Sequence, residues 1–198
     1  MKRLLLTSTG FGNRRFALLF LEKIGKKAAD IKVLFIPTAA IDDDAKEMLP
    51  YCYQDLTDIG ILPENIFTYE LRYLISKAHN NIGNPTSFRL LSIEETKKFD
   101  AVYFCGGDPE YLLAEVNRTG FNVILKSAVE SGLFYIGASA GAVIAAGNLS
   151  NNLGFIKNHL YVHCEKGTRC GELPTVRAVR LTDRQAVWIE GDNYEIIE

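Results

Sequence analysis

The sequence predicts an α/β three-layer sandwich with a mostly parallel central sheet, and three observations carry that prediction. Short apolar runs alternate with segments of helical periodicity over the first three-quarters of the chain, the pattern of strands joined by crossover helices that cover both faces of a sheet. The last quarter changes to short β-like runs separated by turns, so extra strands are expected after the alternation ends. At 198 residues the chain fits one domain, residues 1–198. A chain of that size buries about 70% of the surface its unfolded form exposes, enough for a single core.

Each element follows from its residues. Lys2–Thr9 reads as the first strand and ends at the turn Gly10-Phe11-Gly12. Arg15–Lys27 carries Phe16, Leu19, Phe20 and Ile24 at helical spacing. Lys32–Ile36 is a short apolar strand closed by Pro37-Thr38. Asp42, Asp43 and Asp44 precede a helix over Ala45–Leu56. Acidic groups suit a helix start, where they accept from free N–H groups and meet the positive dipole end. Ile66–Tyr69 is a third strand, and the polar stretch Ser76–Phe88, with Gly83 and Pro85, is expected to form a loop or edge elaboration. Ser92 and Glu95 have capping-box spacing at the head of a helix over Ser92–Lys98. Ala101–Cys105 is a buried strand that Gly106-Gly107-Asp108-Pro109 turns into a helix over Glu110–Arg118. Asn122–Ser131 is a further helix, Leu133–Ile136 a strand, and Ala140–Ala146 begins the next helix. Strand candidates then fall at Leu160–His163, Val176–Leu181, Ala186–Glu190 and Tyr194–Ile197, the last two separated by Gly191-Asp192-Asn193.

Composition narrows the function classes. Apolar residues are 47% and charged residues 23%, an ordinary soluble mixture, and the net charge is −2. Nucleic-acid binding usually shows a basic surplus, which this balance lacks. Lys2-Arg3 followed by Leu4-Leu5-Leu6 mimics a signal peptide, but three leucines are too few for its apolar region. No run is long enough to span a membrane. Cys52, Cys105, Cys164 and Cys170 show no Cys-x-x-Cys pair and no disulfide framework, so a reduced, cytoplasmic setting is expected. No His, Cys and Asp cluster has metal-site spacing, so no metal is expected. Thr9-Gly10-Phe11-Gly12 hints at a dinucleotide loop, but Arg15 stands where its third glycine belongs.

The pentapeptide Gly137-Ala138-Ser139-Ala140-Gly141 carries the strongest chemical signal. It lies between an apolar strand and an apolar helix, the expected context of a nucleophile elbow. A reactive serine needs its hydroxyl at the tip of a sharp turn, and side chains at the flanking positions would collide with neighbouring backbone. Acyl transfer also needs two N–H donors for the oxyanion, here from Ala140 and from Gly107 in the double-glycine turn on another strand. Asp108 reads first as the cap of the helix that Pro109 opens. Of three histidines, His79 lies in the polar segment, His159 opens a short β-like run and His163 ends it, which makes His163 the candidate base. Asp183 is the candidate orienting acid, with Glu165, Glu172 and Asp192 as alternatives.

With these blocks in hand, the chain resembles the peptidase E, or aspartyl dipeptidase, family of serine peptidases. The resemblance rests on Ile36-Pro37-Thr38-Ala39, Gly106-Gly107-Asp108 through Leu112-Leu113, Gly137 to Ala142, and Val162-His163 followed by Leu181-Thr182-Asp183. It implies a class I glutamine amidotransferase-like (flavodoxin-like) fold, a Ser139–His163–Asp183 triad, an oxyanion hole from Gly107 and Ala140, and no metal or organic cofactor. It implies hydrolysis of small peptides, with dipeptides carrying an N-terminal aspartate as the family's known substrates. Recognition of that aspartate needs a cation, for which Arg169 and Arg177 are candidates, with Asp108 as a further substrate contact. The chain departs from the best-known members in having Asp108 where they have asparagine. A non-catalytic small-molecule binding domain of the same fold is the alternative. An amidotransferase ranks lower, because that chemistry uses cysteine at the elbow and this chain has serine. Oligomeric state is not legible from the sequence.

Overall fold

The computed structural model describes residues 1–74, 89–172 and 178–198. The expected loop over 76–88 lies outside the described residues. In chain order the elements are β1 (Arg3–Thr7), α1 (Arg14–Ile24), β2 (Val33–Ile36), α2 (Asp43–Asp58), β3 (Ile66–Thr68), α3 (Ile93–Thr96), β4 (Ala101–Phe104), α4 (Pro109–Arg118), α5 (Phe121–Glu130), β5 (Phe134–Ala138) and α6 (Ala140–Ala145). Five short strands complete them: β6 (His159–Tyr161), β7 (Gly171–Glu172), β8 (Ala178–Arg180), β9 (Ala186–Glu190) and β10 (Asn193–Ile197).

The main sheet has eight strands in the order β3-β2-β4-β5-β1-β9-β10-β7. The first five run parallel, and β9, β10 and β7 add antiparallel pairings beyond β1. Strand residues alternate between two apolar clusters, as the two-residue repeat of a strand requires. Leu4, Leu6, Val102, Phe104 and Tyr135 join one cluster with buried residues of α4, α5 and α6. Leu5, Phe35, Tyr103, Phe134 and Trp188 join the other with Phe16 and Phe20 of α1 and Leu56 of α2. Helices therefore cover both faces, and the three-layer expectation holds. Each fully buried Leu or Phe side chain in these layers contributes roughly 1.5–3 kcal/mol.

Local signals account for most helix starts. Asp42 accepts from Ala45 N–H at 2.7 Å and caps α2, which runs unbroken through Pro50. Ser92 and Glu95 form the expected capping box. The sequence extends β1 and α1 further than the structure does, because Ser8 and Thr9 leave the sheet and Gly25 ends α1 in a left-handed cap. The short strand β7 was not legible; it pairs only at Gly171 and Glu172. Among the described residues, no helix is long and apolar enough to cross a membrane.

Two pairings bring the later segments to the carboxyl ends of the parallel strands. Because β9 runs antiparallel to β1, with Thr7 opposite Ala186, the turn at 182–185 lies beside Ser8 and Thr9. In a separate two-stranded sheet β6 lies parallel to β8, with Tyr161 opposite Arg180, so residues 162–164 run alongside 181–183. Ligand sites in open α/β sheets form at this carboxyl edge.

Candidate active site

Ser139 stands between β5 and α6 with φ 48° and ψ −106°, outside the comfortable regions for a residue with a side chain. Its N–H donates to the Thr7 carbonyl at 2.9 Å, and its own carbonyl accepts from Ala142 and Val143. The flanking glycines are explained by contact. A Cβ at Gly137 would sit 2.6 Å from the Gly141 carbonyl oxygen, and one at Gly141 would sit 2.5 Å from Phe104 Cβ. The buried Tyr135 hydroxyl donates to the Gly141 carbonyl at 2.6 Å and ties the helix start to the strand.

The double-glycine turn after β4 lies against this elbow. A Cβ at Gly106 would come within 3.3 Å of Ser139 Cβ. Gly107 has φ +131°, and a Cβ there would meet the Ala39 carbonyl oxygen at 2.1 Å, so only glycine fits. The turn is held by the Asp108 N–H, which donates to that same carbonyl at 2.9 Å. Gly106, Gly107, Ser139 and His163 share one cleft of about 260 Å³. The helix α2 forms its opposite wall.

His163 follows β6 rather than ending it, in a left-handed conformation with φ 55°. Its Nε2 lies 3.2 Å from Ser139 Oγ, and its Nδ1 lies 2.8 Å from Asp183 Oδ1. Among the described residues only Ser139, Asn151 and His163 combine a side chain with positive φ. Backbone strain of this kind costs about 1–3 kcal/mol per residue and concentrates at functional sites. The His163 and Asp183 side chains are 49% and 60% exposed, so the pair faces solvent rather than a dry interior.

The structure separates the alternative acids. Asp192 occupies the β9–β10 turn, beside Lys2 at the opposite end of β1 from Ser139. Glu165 is exposed two residues beyond His163, while Asp183 holds the imidazole nitrogen. Glu172 pairs in β7 at the sheet's far edge. Asp108 caps α4, accepting from Tyr111 N–H at 2.9 Å, which is its expected structural role. Neither it nor the exposed Arg169 lines the cleft. Arg177 and His79 lie outside the described residues.

Two residues went unnoticed in the sequence. Ser8 is buried just after β1. Its Oγ accepts the His163 N–H at 3.1 Å and approaches the Thr182 and Leu181 carbonyls at 3.2 and 3.4 Å. It thereby pins the His163 and Asp183 segments to the central sheet. Gln185, also buried, accepts from Thr182 N–H and donates to the Thr168 carbonyl, bracing the turn that carries Asp183. A serine at the carboxyl end of a central strand was the available signal for Ser8.

The model of peptidase family S51 matches residues 4–154, from β1 past α6, including the Gly106-Gly107 turn and Ser139. This chain belongs to peptidase family S51. The peptidase E resemblance is thereby borne out at the level of family. An uncharacterized peptidase of Listeria monocytogenes serovar 1/2a is 30% identical over 118 residues, 60% of this chain and 50% of that one. An uncharacterized peptidase of Pasteurella multocida is 31% identical over 117 residues, 59% of this chain and 49% of that one. The chain thus spans about half the length of the curated relatives it matches. In structure, a Listeria monocytogenes EGD-e protein that carries the name peptidase E superposes with TM-score 0.73 at 21% identity, covering 100% of this chain and 98% of that one. A peptidase from an acI-B1 Actinobacterium gives TM-score 0.62 at 18% identity, covering 100% and 87%. These two likenesses establish the fold that this S51 member shares with them.

Proposed function

We propose that residues 1–198 form one domain that hydrolyses small peptides as a serine peptidase, in a reduced, cytoplasmic setting and without a metal or organic cofactor. Ser139 Oγ attacks the scissile carbonyl while His163 Nε2 takes its proton. Asp183 holds the imidazole by Nδ1 and stabilises the imidazolium that forms. The Gly107 and Ala140 N–H groups receive the developing oxyanion. The imidazolium then returns the proton to the leaving amine, and water, activated by the same histidine, releases the acyl group from Ser139.

The observation that carries this reading is the position of His163 between Ser139 and Asp183, at 3.2 and 2.8 Å. Strain at both Ser139 and His163 supports it, since a non-catalytic binding domain has no need of either conformation. A fluorophosphonate probe tests it. Labelling of the wild-type chain and none of Ser139→Ala is expected; equal labelling of both, or of neither, would favour the binding domain. Asp183→Ala should slow labelling more than Glu165→Ala, and the reverse order would reassign the acid.

A further inference from the structure

Two of the four cysteines meet at the cleft beside Ser139. Cys52 lines it from α2, and Cys105 lines it just after β4, immediately before the Gly106-Gly107 turn. Cys105 is buried in the apolar cluster of that face, and the half-buried Cys52 packs against the same cluster. The two thiols share a hydrogen bond. The other cysteines are engaged elsewhere: the Cys164 thiol reaches the Tyr161 carbonyl at 3.7 Å, and Cys170 accepts from the Gln185 amide at 3.5 Å. Neither Cys52 nor Cys105 has a part in acyl transfer at Ser139.

The pair is unequal. The hydrogen bond from Cys105 lowers the Cys52 thiol, against the opposing effects of burial and of Asp55. Burial pushes the Cys105 thiol well up, so it keeps its proton. The buried Tyr103 hydroxyl has no hydrogen-bond partner of standard geometry among the described residues, and it lies close enough to Cys52 to favour the thiolate. Cys52 is therefore the nucleophile of the pair. A nucleophilic thiol on a cleft wall, with a second thiol against it, is the arrangement that carries a first oxidation on to a disulfide. The helix can follow the sulfur as that bond forms. Of the α2 residues only Leu56 is buried, and Pro50, just before Cys52, lacks the N–H that would tie its turn to the preceding one.

We propose that Cys52 is a modification site for a small hydroperoxide, that Cys105 is its resolving thiol, and that the resulting disulfide clamps α2 to the Gly106-Gly107 turn and closes the cleft. The Cys52 thiolate attacks one peroxide oxygen and the O–O bond breaks. With hydrogen peroxide, the displaced hydroxide takes up a proton and leaves as water, and Cys52 becomes a sulfenic acid. The Cys105 sulfur then attacks the Cys52 sulfur; the S–S bond forms, the S–O bond breaks, and the hydroxyl departs as water with the Cys105 proton. Two thiols are oxidised by two electrons and one peroxide is reduced to two waters. A cleft of about 260 Å³ admits such an oxidant readily. In a reduced setting a disulfide of this kind is transient and reports oxidant. The site stands apart from the reading of Ser139 as nucleophile; the effect of the clamp on acyl transfer rests on that reading, through the Gly107 N–H and through access to Ser139.

The test treats the wild-type chain with hydrogen peroxide, maps its peptides without reduction, and measures fluorophosphonate labelling of Ser139 before and after. A Cys52–Cys105 link is expected, with labelling slowed by at least about tenfold and restored by dithiothreitol. Restoration also excludes oxidation of Met48 on the same wall as the cause, because dithiol exchange opens a disulfide and a methionine sulfoxide needs its own reductase. Peroxide on Cys105→Ala should leave Cys52 as a sulfenic acid that dimedone traps. Cys52→Ala, at the half-buried position, should form no link and should label at the same rate before and after peroxide. No link in the wild-type chain, a link to Cys164 or Cys170 instead, or equal slowing in Cys52→Ala would overturn the proposal. A Cys52–Cys105 link in a chain whose Ser139 is never labelled would uphold the modification site and defeat the hydrolase reading. Labelling of Ser139 without any link would do the reverse.

Discussion

Ser8→Ala isolates the contact that gathers the site. The Ser8 hydroxyl accepts the His163 N–H at 3.1 Å and reaches the Thr182 carbonyl at 3.2 Å, joining two segments that carry the base and the acid. Alanine removes both bonds and leaves a partly shielded N–H without its partner. One such loss costs about 1–2 kcal/mol net. For a domain of this size each kcal/mol moves the melting temperature by about 2–4 °C, so the variant should melt roughly 2–8 °C lower. The effect on chemistry is larger in proportion, because the imidazole must stay within hydrogen-bond reach of Ser139 Oγ. A misplacement of 1 Å costs on the order of a hundredfold, and the smaller drift expected of a tethered loop should slow fluorophosphonate labelling of Ser139 by about tenfold. Thermal melting followed by circular dichroism and time-resolved labelling measured by mass spectrometry provide the two readouts. An unchanged melt together with an unchanged labelling rate would refute the pinning role. A lower melt with unchanged labelling would make Ser8 structural only.

Three further outcomes follow from the geometry. Gly107→Ala should cost roughly 3 kcal/mol or more, since its Cβ would stand 2.1 Å from the Ala39 carbonyl oxygen at φ +131°; a variant that melts like the wild type would contradict that approach. Asp55 has its folded pKa raised to about 6, so the folded chain binds that proton more tightly than the unfolded chain, and the penalty grows as pH rises through that value. Asp55→Asn should therefore melt a few degrees higher than wild type near pH 7.5, about 1 kcal/mol after allowing for solvent, with the difference vanishing near pH 4. A constant difference across that range would exclude titration as its source. Finally, a hydrogen bond from Cys105 lowers the Cys52 thiol, while burial pushes the Cys105 thiol well up. Iodoacetamide should alkylate Cys52 before Cys105, and the added group should block probe access to Ser139, both read by peptide mass; first reaction at Cys105 would contradict the assignment.

What was legible in the sequence was local. The Ser139 elbow could be found because strand, turn and helix are contiguous, and its glycines are demanded by atoms a few residues away or on the next strand. The Gly106-Gly107 turn, the Asp108 and Asp42 caps and the Ser92–Glu95 box are equally local. Strand edges were less legible, because the sheet ends where a partner strand ends. Leu160–His163 reads as one β run, yet β6 stops at Tyr161, and His163 turns into the left-handed region to meet Asp183.

The pairing of base with acid belongs to tertiary structure. From the residues alone Asp183, Glu165, Glu172 and Asp192 stood as alternatives. The antiparallel register of β9 on β1 carries Asp192 to the wrong end of the sheet and brings Asp183 beside Thr9. The α2 wall was likewise invisible as a wall: Ala45, Met48, Leu49 and Cys52 read only as one face of a helix until the fold set them opposite Ser139. By itself, the sequence determined the layered α/β fold and the elbow at Ser139, because hydrophobic periodicity and turn chemistry act over a few residues. Only the tertiary structure decided which carboxylate meets His163 and what lines the cleft, because those contacts join segments up to 174 residues apart, and strand register rather than local preference determines where they meet.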